Sequence, residues 1–139
     1  NVFAPNLICK VLTNKKVNNS VLNSAVFISS NISNHGAKAM SAYGSSKSAL
    51  DGLMRSLAIE LAPKVRVNSV LPGAVETKMT KDILTNDIVR DRMLAVYPLG
   101  IGNPNDICQA VIFLLSENAR WITGQQFTVD GGRTINISG

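Results

Sequence analysis

Apolar side chains recur along this chain at two different spacings. In residues 1–17 they fall at Val2, Phe3, Leu7, Ile8, Val11 and Leu12, a helical period, with Pro5 tolerated if it lies in the first turn. The polar stretch 14–20 reads as a connection. Ala25-Val26-Phe27-Ile28 is a short continuous apolar run, the pattern of a strand covered on both faces of a parallel sheet. It ends in Ser29-Ser30-Asn31, where a loop is expected at the strand's carboxyl end. From Ala42 to Leu61 an apolar stripe (Ala42, Ala49, Leu50, Leu53, Met54, Leu57, Ala58, Leu61) predicts a long helix, capped by Ser41 and stopped by Pro63. Residues 65–71 are rich in β-branched side chains and run into Pro72-Gly73, a second strand and turn. A weaker helical pattern spans Thr80 to Tyr97, ended by Pro98. Asn103-Pro104 opens a further helix through Ile107, Ala110, Val111, Leu114 and Leu115. Residues 125–129 form a third strand, closed by Asp130-Gly131-Gly132.

Helices alternating with strands predict an α/β fold whose parallel sheet is covered on both faces. No repeat or linker divides the chain, so residues 1–139 read as one partial domain. Three strands make a small sheet of this kind, and the order matches the second half of a doubly wound fold. The composition, 45% apolar and 17% charged, is globular. No apolar run reaches the ~20 residues of a membrane helix. The net charge of +5 comes from bases scattered along the chain, and only 5% of residues are aromatic, which argues against nucleic acid as a partner. Cys9 and Cys108 share no ligand spacing with His35, so no metal site is expected and the thiols read as reduced, in a cytoplasmic protein. The N-terminus lacks both a methionine and the basic-then-apolar order of a secretory signal, and the chain is expected to be processed or truncated.

Tyr43 and Lys47, four residues apart, share one helix face, with β-carbons about 5–6 Å apart. Ser30 lies thirteen residues upstream of Tyr43, at a strand's carboxyl end, and Leu71-Pro72-Gly73 lies at the next. Ligands of open α/β sheets bind outside such ends. A free phenol titrates near ~10. An ammonium about 5 Å away, at an effective dielectric of ~20, favours its ionised form by roughly 3 kcal/mol. Lys47 is spaced to supply that charge to Tyr43. His35 is either a solvated loop residue or part of a pocket lining, and Met40 and Met79 are either pocket borders or packing residues.

Ser30, Tyr43-x-x-x-Lys47, Asn68-x-x-x-Pro72-Gly73 and Thr123-Gly124-x-x-x-x-Val129-Asp130-Gly131-Gly132 resemble the short-chain dehydrogenase/reductase family in order and spacing, from Asn1 to about Arg133. Tyr43 to Leu50 and Glu76-Thr77-Lys78-Met79 further resemble the 3-oxoacyl-(acyl-carrier-protein) reductases. The resemblance implies the C-terminal part of a Rossmann-like sheet and hydride transfer between a nicotinamide (NADP or NAD) and a carbonyl or alcohol. It implies catalytic roles for Ser30, Tyr43, Lys47 and Asn1: bonding the substrate oxygen, exchanging its proton, bonding the nicotinamide ribose, and holding a relay water. Pro72, Gly73, the main chain of Val75 and the hydroxyl of Thr77, with Tyr43 and Lys47, are implied to bind the cofactor, and residues 78–100 to form the substrate loop.

Reduction of a 3-oxoacyl thioester, on a small-molecule or acyl-carrier-linked substrate, is the activity implied first. Ile101, where many acyl reductases carry Arg, keeps a sugar, alcohol or hydroxysteroid dehydrogenase as the alternative. A homodimer or homotetramer through the first two helices is implied, with Leu7, Val11, Leu50, Leu53 and Leu57 serving that interface or the core; no membrane is implied. The family's glycine-rich turn and Asn-Asn-Ala-Gly segment do not occur here, so the nucleotide-binding half is expected upstream. Without it, the edge of the strand Ala25 to Ile28 is left unpaired and tight cofactor binding by this piece is not expected. A non-catalytic truncated product is the rival reading.

Overall fold

A computed structural model describes residues 2–78, 80–81 and 85–137. Its elements are α1 (Phe3–Leu12), α2 (Lys15–Asn18), β1 (Ser24–Ile28), a 3₁₀ turn (Asn31–Ser33), α3 (Ser41–Glu60), β2 (Arg66–Pro72), α4 (Asp87–Val96), α5 (Pro104–Leu115) and β3 (Gln126–Val129). The strands form one parallel sheet in the order β1-β2-β3, with Ala25 opposite Val67 and Val70 opposite Phe127. This is the α/β arrangement that the alternating pattern predicts.

Strand alternation sends successive side chains of β2 to opposite faces. Val67 packs with Cys9, Met54, Leu57 and Ala58 on the α1/α3 side, whereas Val70 packs with Leu114 and Ala119 on the α5 side. Both valines are fully buried, as expected of a strand covered on both faces. Asn68 and Ser69 are buried between them, and the Asn68 amide is satisfied: Nδ2 donates to the Ile122 carbonyl at 3.0 Å and Oδ1 accepts from the Gln125 amide at 3.0 Å. Thr123 Oγ1 accepts from the Val67 amide at 3.0 Å. Two residues of the sequence motifs therefore stitch β2 to the chain entering β3.

The interface candidates separate. Leu50 and Leu57 are buried in the core and Leu53 packs against it, while Leu7 and Val11 are exposed. Phe3 and Ile8 extend the exposed apolar face of α1. The outer edge of β1 has no strand partner among the described residues. Among them, no helix is long and apolar enough to cross a membrane.

Three boundaries differ from the sequence pattern, and polar side chains set two of them. The stretch 14–20 contains a helical turn, because Asn14 accepts from the Lys16 amide and caps α2. The helix expected over Thr80–Tyr97 is interrupted at Thr85-Asn86, where Asn86 accepts from the Val89 amide at 3.2 Å and starts α4. Ser41 is not the cap of α3: it lies inside the first turn, and Met40 takes the cap position with no side-chain bond. The start of α5 is as expected, with Asn103 and Asp106 forming a reciprocal capping box around Pro104.

Arg66, at the start of β2, closes the other end of α5. Its guanidinium donates to the carbonyls of Leu114 (2.7 Å), Leu115 (3.3 Å) and Ser116 (3.1 Å), groups that a helix C-terminus otherwise leaves without partners. A cation there also suits the helix dipole. Arg66→Ala should lower unfolding free energy by about 2 kcal/mol. Urea denaturation is the check, and an unchanged midpoint would show that water replaces the guanidinium at no cost.

Candidate active site

The site is built where β1 and β2 end. Ile28 is the last residue of β1, and Ser30, two residues on, is buried with extended backbone. Its Oγ accepts from the Ile32 amide at 3.3 Å and so caps the 3₁₀ turn. Accepting there leaves the hydroxyl proton free to donate. Ser30 is thus both a turn cap and an available donor.

α3 brings its first two turns against this loop. A Cβ at Gly44 would sit 3.4 Å from the Ile32 side chain, so α3 approaches the turn closely. Ser48 Oγ donates to the Ser33 carbonyl at 2.6 Å. Lys47 Nζ donates to the Ile28 carbonyl at 2.9 Å and lies 5.8 Å from the centre of the Tyr43 ring. Tyr43 is 43% exposed, so its phenol stands open to an incoming molecule. Ser30 and the Lys47 ammonium thus both sit at the end of β1, with the Tyr43 ring beside that ammonium. Asn1 and Met79 lie outside the described residues.

The cofactor candidates occupy the end of β2 and the chain beyond it. Pro72 is its last residue. At Gly73 a Cβ would come within 2.8 Å of Asp130 Cα and 3.0 Å of the Tyr97 ring. Glycine is therefore required there by the chain's own packing. Tyr97 Oη accepts from the Ala74 amide at 3.0 Å. Val75 pairs with Gly102 in a parallel bridge, and its carbonyl accepts from Thr80 Oγ1 at 2.7 Å. Thr77 and Thr80 hydroxyls lie 3.2 Å apart. His35 and Met40 both line a cavity of about 640 Å³ between the Ser30 loop and the start of α3.

Two acidic residues that organise this site are given no role by the sequence pattern, although Asp130 stands in one of its motifs. Asp51, one turn after Lys47, is 1% exposed and accepts from Ser29 Oγ at 2.8 Å. A carboxylate spaced with Lys47, Met54 and Ala58 on the buried face of a helix is the pattern that would have found it. Asp130 is a second hub. It accepts from Asn31 Nδ2, from the Thr134 hydroxyl and amide, and from the Gly132 amide, and so ties the loop after Ser30 to the C-terminal segment. Gly131 and Gly132 take positive φ values of 60° and 84° to wrap that carboxylate, which explains the Asp-Gly-Gly sequence.

Comparison with known proteins places this site in context. The family profile described as Enoyl-(Acyl carrier protein) reductase matches residues 1–134. A 2-(S)-hydroxypropyl-CoM dehydrogenase 3 of Xanthobacter autotrophicus is 46% identical over 105 residues, 71% of this chain and 41% of the relative. An L-rhamnose 1-dehydrogenase (NAD(P)(+)) of Azotobacter vinelandii is 41% identical over 97 residues, 68% of this chain and 38% of the relative. A 7alpha-hydroxysteroid dehydrogenase of Escherichia coli K12 is 42% identical over 95 residues, 67% of this chain and 37% of the relative. A solved 4-hydroxyisoleucine dehydrogenase mutant, complexed with NADH and succinate, superposes with a TM-score of 0.89 at 30% identity, covering 95% of this chain and 55% of that one. The chain belongs to the short-chain dehydrogenase/reductase family, a family of oxidoreductases. The matches span about two fifths of the length of these curated relatives.

Burial alone pushes the Asp130 carboxyl up, but hydrogen bonds from the Thr134 and Asn31 side chains and from the Thr134 and Gly132 amides outweigh it. The group is held below its ordinary value near 3.8. A depressed native value means that its stabilisation is complete above the unfolded-state value and drains away as the pH falls through the native one. Asp130→Asn should therefore be less stable than the parent at neutral pH and should lose less stability on acidification below about pH 4. Chemical denaturation across that range checks this, and parallel acid limbs for the two proteins would contradict it.

Proposed function

We propose that this chain is the catalytic part of an NAD- or NADP-dependent oxidoreductase that interconverts an alcohol and its carbonyl on a small molecule. The observation that carries the reading is the gathering of Ser30, Tyr43 and Lys47 at the end of β1, with the phenol open to solvent. The names of the relatives favour a sugar, an alcohol or a hydroxysteroid as the substrate class. Reduction of a 3-oxoacyl thioester is the second reading, favoured by the Tyr43–Leu50 and Glu76–Met79 segments.

The donor set fits a nicotinamide nucleotide. Lys47 Nζ, with three protons, spends one on the Ile28 carbonyl and keeps others for a ribose hydroxyl. The Val75 carbonyl is taken by Thr80, but the Val75 N–H has no acceptor among the described residues and suits a carboxamide oxygen. Pro72 and Gly73 bring the backbone to that level, and the Thr77 hydroxyl stands beside it. A bound nicotinamide supplies or accepts the hydride.

The chain's own residues manage the oxygen and its proton. Ser30 donates its hydroxyl proton to the substrate oxygen and fixes its position. The Tyr43 phenol gives a proton to that oxygen in reduction and takes it back in oxidation. The Lys47 ammonium lies 5.8 Å from the centre of the ring that gives up the proton. Asn1 is proposed to hold a water that returns the proton to solvent.

In the full-length enzyme, Tyr43→Phe should cut turnover by about 10²–10⁴-fold while dinucleotide binding, followed by fluorescence titration, stays within twofold. Retained turnover would assign the proton to another group. We also propose that the exposed apolar face of α1 is covered by a second copy in a homodimer or homotetramer. Sedimentation of the full-length protein should show an oligomer at about micromolar concentration that Leu7→Glu/Val11→Glu dissociates. A monomeric parent would refute that assembly.

A further inference from the structure

We infer that Arg133 and the loop after β1 form a subsite for the carboxylate of a small hydroxy or oxo acid, an inference that rests on the reading of Ser30, Tyr43 and Lys47 given above. A cavity of about 240 Å³ lies between the loop that follows Ser30 and the C-terminal 3₁₀ turn (Arg133–Ile135). Asn31, Ile32 and His35 form one wall, Arg133 and Thr134 another, and Tyr97 a third. Two of these residues connect it to the reaction centre. The Ile32 amide donates to Ser30 Oγ, and Tyr97 Oη accepts from the amide of Ala74, next to Gly73. The Ser30 hydroxyl is thus one hydrogen bond from the cavity wall.

The charge on the wall is uncompensated. Arg133 is half-buried, and its guanidinium makes no ion pair and no side-chain hydrogen bond among the described residues. The acid three residues before it, Asp130, gives its oxygens to Asn31, Gly132 and Thr134 instead. Asp130 lines a different cavity, so no carboxylate among the described residues faces Arg133 across this one. A planar guanidinium without a partner is matched by a carboxylate in a two-point contact. The volume is below that of sites enclosing a whole drug-sized ligand, so it suits one end of a substrate. A single positive charge matches a carboxylate better than a dianionic phosphate. His35 Nδ1 lies 2.8 Å from the Asn31 carbonyl, which can only accept, so Nε2 is the ring nitrogen left for a polar group of the same ligand.

The test is calorimetric titration of the full-length enzyme, saturated with NADH or NADPH, using 3-hydroxybutyrate and its methyl ester as probes. The acid should bind about tenfold or more tighter than the ester. Arg133→Met and Arg133→Gln should each erase that preference, Arg133→Lys should restore part of it, and Tyr43→Phe should keep it. Equal binding of acid and ester, no binding of the acid, or a preference that survives in Arg133→Gln would overturn the subsite. Turnover that persists in Tyr43→Phe would instead sink the catalytic reading while leaving an acid preference in place, so the two failures are distinct.

Discussion

The ammonium of Lys47 on the carbonyl of Ile28 is the contact on which the rest of the site depends. It joins the second turn of α3 to the last residue of β1, and so anchors the helix that carries Tyr43 next to the loop that carries Ser30. One turn further along, the Asp51 carboxylate takes the hydroxyl of Ser29, and Ser29 Oγ also lies 3.3 Å from the Lys47 carbonyl. Successive turns of one helix thus grip successive residues of one strand end. The Asp51 carboxylate is 1% exposed; its Oδ2 takes the Ser29 bond, while Oδ1 has no partner among the described residues. The Lys47 ammonium also lies 5.8 Å from the centre of the Tyr43 ring.

The sheet supplies the frame for this arrangement. Parallel pairing sets all three strand ends at one side, and β2, buried on both faces, fixes their level. Polar side chains are spent on keeping the ends aligned: Asn68 and Thr123 hold β3's entry, Arg66 holds the end of α5, and Asp130 holds the exit loops of β1 and β3 together. Gly73 is part of the same construction, since only a bare Cα lets the turn after β2 pass Asp130 and Tyr97. The residues that mark the family in sequence are therefore partly architectural.

Much of this was legible in the chain because period and punctuation are local. Strands, the long helix and the start of α5 follow from runs, stripes and the Asn103-Pro104 pair. The interruption at Asn86 and the turn at Asn14 were not, because a capping side chain competes with a helical pattern through a hydrogen bond that spacing does not reveal. Ser30 could be read as the end of an apolar strand, and Tyr43 and Lys47 as neighbours on one helix face from their four-residue spacing. Asp51, Tyr97 and Asp130 were not assigned roles, since each acts on residues 22 to 99 positions away. Long-range contacts of that kind appear only when the sheet has brought its ends together. Four leucines and one valine show the same limit: all lie on apolar stripes of α1 or α3, yet Leu50 and Leu57 are buried while Leu7 and Val11 are exposed.

The central claim is that one substrate oxygen is shared by the Ser30 hydroxyl and the Tyr43 phenol. A crystal structure of the full-length enzyme with dinucleotide and an unreactive substrate analogue measures it directly. The account predicts an analogue oxygen within hydrogen-bond distance of both Ser30 Oγ and Tyr43 Oη, with Lys47 Nζ still on the Ile28 carbonyl. An analogue oxygen held by any other pair of side chains would contradict it.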